Sequence, residues 1–77
     1  LMDRSYILNQ MSGAVVTLVC DDGIYDVTLN YLRNQTDVPA EVMAADIRNS
    51  IIVWEINQQR WMNIDVDTVR DCRLKHV

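Results

Sequence analysis

A β-branched run over residues 14–20 meets, across Asp21-Asp22-Gly23, a stretch over residues 24–31 in which apolar and polar residues alternate. Two strand-forming segments joined by so short a turn are placed to pair antiparallel with each other, so the pattern predicts a β-hairpin. Gly23 is expected to supply a positive φ at the turn. In the second segment Tyr25, Val27, Leu29 and Tyr31 fall on one face, and Asp26, Thr28 and Asn30 on the other. This is the pattern of a half-buried strand whose apolar face looks inward. A lone hairpin is marginal in water, so further strands are required.

Residues 51–56 are strongly β-forming and lead through Asn57-Gln58-Gln59-Arg60 into residues 61–66, which predicts a second hairpin. In its return strand Met62, Ile64 and Val66 face one way, while Trp61, Asn63, Asp65 and Asp67 face the other. Trp61 is thus the odd apolar residue of a polar face. Asp67-Thr68-Val69 reads as a tight turn, because Asp and Thr side chains bond to nearby backbone, and residues 70–75 follow as a last strand. Between the hairpins Pro39 opens residues 40–49, where Val42, Met43 and Ile47 recur at helical spacing among the helix formers Ala40, Glu41, Ala44 and Ala45. A short inserted helix is predicted there. Residues 1–12 lack clean periodicity and are read as an N-terminal arm or partly ordered segment, with residues 13–77 as one domain.

A chain of 77 residues is too short to divide into two self-sufficient cores. Even as one domain it buries a modest core, so a partner or self-association that hides more apolar surface is physically favoured. The expected class is mainly β (α+β): a small five-stranded barrel of the SH3-like or Sm-like type with one inserted helix. Its last strand would return beside the first and bring Cys72 near Cys20.

The second hairpin carries a more specific signal. Val53-Trp54-Glu55-Ile56-Asn57, then Trp61 and Ile64-Asp65-Val66-Asp67-Thr68-Val69, resembles the WYL-like, Sm-like small barrel proteins of phages and bacteria. Their run is an apolar-Trp/Tyr-acidic-apolar strand, a turn, then Trp-Arg-x-Phe-Arg-Leu-Asp-x-Ile. The resemblance implies the barrel and, in this chain, a structural use of Trp61, Asp67, Ile64, Val66 and Val69. At the two arginine positions this chain has Met62 and Asp65, so the cationic pair that would hold an anionic ligand is replaced.

Charge and residue inventory exclude several chemistries. The net charge is -4, with 11 acidic against 7 basic residues and no basic run, which disfavours phosphate-driven nucleic-acid binding. Cys20 and Cys72 are the only cysteines and His76 the only histidine, too few for a zinc site, a catalytic triad or a disulfide scaffold. The two cysteines are read as small buried hydrophobes on adjacent strands. Asp21, Asp22 and Asp26 are assigned to turn chemistry, and Asp65, Asp67 and Asp71 to outward strand positions, rather than to cation sites. The absence of a long apolar run suggests a cytoplasmic protein, in the host cytoplasm if phage-encoded.

What remains is Trp54, Arg60 and Trp61, an aromatic-plus-arginine composition typical of interface hot spots, with Asp65 on the same strand as Trp61. The expected function is a non-catalytic protein-interaction module without cofactor or metal. It would be a phage accessory protein acting on a host or viral protein, or one that self-associates into a homo-oligomer. The alternatives are a barrel that binds a small ligand or single-stranded nucleic acid, and an acidic mimic of nucleic acid.

Overall fold

The computed structural model describes residues 3–29 and 37–75. Tyr31, Asn30 and His76 therefore lie outside the described residues, as does most of the polar connection after the first hairpin.

The elements follow in the order α1 (Arg4–Met11), β1 (Val15–Cys20), β2 (Gly23–Thr28), α2 (Ala40–Met43), β3 (Ser50–Glu55), β4 (Arg60–Asp65) and β5 (Val69–Leu74), with a 3-10 turn at Val66–Thr68 joining the last two strands. The five strands form one antiparallel sheet in the order β4-β3-β2-β1-β5. Both expected hairpins and the return of the last strand beside the first are present. The ladder is open among the described residues, since β4 and β5 are its two ends.

The sheet is nevertheless strongly curled, and the reason is the link between its ends. Strand neighbours lie about 4.8 Å apart, so a flat sheet would hold β4 and β5 about 19 Å apart. A 3-10 turn rises about 2 Å per residue, so the passage from Asp65 to Val69 spans only about 8 Å. The ends must approach each other at that corner. Asp65 fixes the corner by accepting the Asp67 backbone N–H at 3.0 Å, while the Thr68 hydroxyl donates to the Asp65 carbonyl at 2.7 Å. Asp21 N–H then donates to the Thr68 carbonyl at 3.0 Å and ties the corner to the first hairpin.

The concave face carries the core: Val16 and Leu18 from β1, Val27 from β2, Ile51 and Val53 from β3, Ile64 from β4, and Val66 and Val69 from the corner. The segment read as an N-terminal arm is part of this core. Over Arg4–Met11 it is a helix whose Ile7 and Met11, one turn apart, are both 0% exposed. Asp3 caps it by accepting the Tyr6 N–H at 2.8 Å, and Gly13 at φ 76° lets the chain leave it. Two buried side chains are too few to show as a period in the sequence, yet each contributes about 2 kcal/mol of apolar burial. The helix packs against β5 and β1, and Arg4 Nε reaches the Ser50 carbonyl at 3.0 Å at the start of β3.

Three local expectations are corrected. Gly23 opens β2 without a positive φ, because Asp21 and Asp22 alone make the turn; its value is space, since a Cβ there would meet the Tyr25 hydroxyl at 3.1 Å. The helix expected over residues 40–49 stops after Ala40–Met43, since none of its residues is buried and an unanchored short helix does not propagate. Asp26 and Thr28, expected on a solvated face, are 9% and 4% exposed.

Candidate functional site

Sequence reasoning placed a binding surface on Trp54, Arg60 and Trp61. The structure brings the two rings together and sets Arg60 apart from them. Trp54 and Trp61 are paired directly across β3 and β4 and pack edge to face, with ring centroids 5.3 Å apart and planes at 80°. They are 7% and 6% exposed, so this is a buried cluster rather than a presented one. Arg60, exposed and opposite Glu55, projects to the other face of the hairpin, as the alternation of a strand requires. The face of Trp61 also carries Asn63, whose Nδ2 donates to the Val42 carbonyl at 3.0 Å and so ties α2 to β4.

A second polar cluster was invisible in the sequence. Asp26 Oδ1 accepts from the Thr17 hydroxyl at 2.6 Å, and its Oδ2 accepts from Asn57 Nδ2 at 3.0 Å and Lys75 Nζ at 3.1 Å. The Thr17 bond, with help from Asn57 and Lys75, holds the Asp26 carboxyl below the usual aspartate value despite burial. Glu55, 1% exposed, accepts the Asp26 N–H at 3.0 Å and the Gln58 N–H at 2.7 Å. Its carboxylate takes up backbone donors where β2 runs past the end of β3 and where the β3–β4 turn begins. Every carboxylate oxygen in this network has a partner, which is the signature of a structural staple.

A concavity among the described residues lies elsewhere. A cleft of about 310 Å³ opens between the end of β1, strand β4 and the corner. Met62, Ile64 and Ile47 supply apolar wall, and Asp21, Asp22 and Asp65 stand around it. Of the four residues singled out from sequence, Asp65 alone lines this cleft. Asp21 is already engaged: its two oxygens accept Arg70 Nε at 2.6 Å and Nη2 at 2.8 Å, a fork that holds the Asp21 carboxyl below its usual value. Asn63 also lines the cleft, and its buried Oδ1 has no partner among the described residues.

Cys20 is the cleft's one thiol. Burial, reinforced by the nearby Asp22 and Asp21 charges, pushes it up to about 11, so it is protonated and a poor nucleophile near neutral pH. Cys72, on the adjacent strand as expected, stands opposite Leu18; both thiols are free and buried, and burial raises Cys72 as well. Among the described residues no group of three or more His, Cys, Asp or Glu is placed to hold a metal ion, and no helix is long and apolar enough to cross a membrane.

The cleft draws on residues 20–22, 47, 62–65 and 68, so no local motif could have revealed it. Asn63 in particular carries no signal in the sequence beyond being polar, and Asp22 none beyond its place in the turn. Comparison with protein-family models, with curated proteins and with solved structures finds no match to this chain.

Proposed function

We propose that this domain is a non-catalytic protein-interaction module, an accessory protein of the phage type, built on a small barrel of the SH3-like or Sm-like kind and related to the WYL-like proteins that its second hairpin resembles. The curl of the five-stranded sheet, the 3-10 corner between β4 and β5 and the hairpin sequence support the barrel reading. The observation that carries the functional reading is the cleft: an apolar wall with an acidic rim, whose thiol is held protonated and whose lining among the described residues contains no histidine or other cation. Such a site can bind but has no activated nucleophile. Its chemistry favours a basic segment with an apolar anchor over a phosphate backbone, and the covered rings of Trp54 and Trp61 offer no stacking platform for bases.

A displayed peptide library selected on the full chain tests this. Binders are expected whose affinity is lost in Met62→Glu and Asp22→Lys variants that still fold. A library without binders, or with binders indifferent to both changes, overturns the reading. Because β4 and β5 each lack a strand neighbour on one side among the described residues, a second copy adding its strand is another form of the same module. Light scattering across a dilution series separates the two, since self-association gives a mass above one chain.

A further inference from the structure

We infer that the partner docks as an added β-strand on the open edge of β4 and is held there through its backbone. This rests on the interaction reading above and adds the way in which the segment is gripped.

The phase of the ladders decides which backbone groups each edge presents. Val66 N–H donates to the Asn49 carbonyl at 2.8 Å and extends the β3–β4 register by one bonded pair. Bonded and non-bonded pairs alternate in an antiparallel ladder, so Met62 and Ile64 bond to β3 while Trp61, Asn63 and Asp65 turn their N–H and C=O outward. At the other end of the sheet Lys75 N–H donates to the Val15 carbonyl at 2.9 Å, which by the same alternation turns Cys72 and Leu74 outward.

The two edges are finished differently. On β5 the outward Cys72 N–H is covered by Asp71 Oδ1 at 2.9 Å, and Arg73 Nε holds the other oxygen of that carboxylate at 2.6 Å. A charged side chain laid across an edge donor blocks the addition of a strand. On β4 the side chains bond elsewhere, Asn63 to the Val42 carbonyl and Asp65 to the Asp67 N–H. Asn63 therefore keeps both of its outward backbone groups, and Asp65 keeps its N–H while its carbonyl is held by the Thr68 hydroxyl at 2.7 Å.

The cleft follows the same edge. Met62, Asn63, Ile64 and Asp65 line it in unbroken succession. Successive residues of a strand point to opposite faces, so a cleft that touches all four runs along the strand's edge and not over one face. Its far wall is the end of β1 and the turn after it, at Cys20, Asp21 and Asp22. An extended segment entering there meets the Asn63 and Asp65 backbone and can set an alternate side chain against Met62 and Ile64.

Charge selects the occupant. A second copy has its β5 edge capped by Asp71 and only its own β4 to offer, and that pairing would bring two acidic mouths together on chains that each carry -4. The occupant is an extended segment of a different protein, apolar where it faces Met62 and Ile64 and basic where it passes Asp22 and Asp65.

The test is an NMR titration of the full, isotope-labelled chain with acetyl-Lys-Val-Thr-Val-Lys-amide and with a series of the same peptide N-methylated at one amide at a time. Saturable shifts are expected at the backbone amides of Asn63 and Asp65. Methylation should weaken binding about tenfold at alternate amides, those that face β4, and be tolerated at the amides between them. Asn63→Pro removes an outward donor and no ladder bond, a change that edge strands accept, and should lose the response; Asn63→Ala keeps the donor and should retain it. No shift with the parent peptide, or tolerance of methylation at every amide, overturns the assignment. A solution mass above one chain for the unliganded protein gives the edge to a second copy and overturns it as well. Library peptides that depend on Met62 but tolerate methylation throughout overturn it while leaving the interaction reading intact. Absence of any cleft-dependent peptide removes both.

Discussion

Two carboxylate clusters divide the molecule, and they obey opposite rules. Asp26 and Glu55 are buried, and their oxygens take donors from Thr17, Asn57, Lys75 and the backbone of Asp26 and Gln58. Asp22 and Asp65 stand at the mouth of a cleft, Asp22 beside the Tyr25 hydroxyl and Asp65 accepting the Asp67 N–H, and both reach solvent. Residue type is the same in both places. What differs is water: a buried carboxylate must be saturated for the chain to fold, whereas one at a cleft mouth can keep spare capacity in solvent. Buried acids with every oxygen engaged therefore belong to stability, and acids that reach solvent are the ones available to a partner.

The sharpest way to break this comparison is Glu55→Ala. It removes the acceptor of the Asp26 and Gln58 N–H groups and should lower the unfolding free energy by about 4 kcal/mol, read from urea unfolding. A loss under about 1 kcal/mol would mean that the staple is dispensable. Ile7→Ala calibrates it against pure packing. With Ile7 fully buried, a loss of about 3 kcal/mol is expected. An unchanged midpoint would return α1 to the status of an arm.

Asp26→Asn sharpens the same contrast through pH. The carboxyl's value is depressed in the folded state, so its contribution is complete above the unfolded value near 3.8 and disappears as pH falls through the folded one. Stability of the native chain should fall across that acid range. The variant should be weaker by about 1 kcal/mol at neutral pH and should show a flatter acid limb. Equal acid slopes in variant and parent would count against the Thr17–Asp26–Asn57 staple. The smallest effect belongs to the other cluster: Asp22→Asn should leave stability within about 0.5 kcal/mol while removing peptide binding. A large shift in melting temperature would show that Asp22, too, is structural.

Strands were legible because their information is local. Alternation in residues 24–28, the Asp21-Asp22 turn and the β-forming run through Val53 need only neighbours to be read, and the observed ladders Val15↔Thr28 to Cys20↔Gly23 and Ser50↔Asp65 to Glu55↔Arg60 follow. The helix over Arg4–Met11 was missed although Asp3 and Gly13 bracket it, because its burial rests on Ile7 and Met11 alone. Asp26 and Thr28 were assigned to solvent because a period of two distinguishes faces but not whether both are covered. The Trp pair was placed at a surface for the same reason: nothing in residues 53–62 announces that both rings are buried.

By itself the order of residues determined a mainly β fold and its two hairpins, since each depends on composition or on contacts a few positions apart. Tertiary structure alone decided which acids are saturated, which rings are covered and where a cleft opens. Those properties arise when residues 20–22, 47 and 62–68 are brought to one corner by the curl of the sheet. Burial and hydrogen-bond satisfaction are properties of that assembled environment, and a residue's own identity does not contain them.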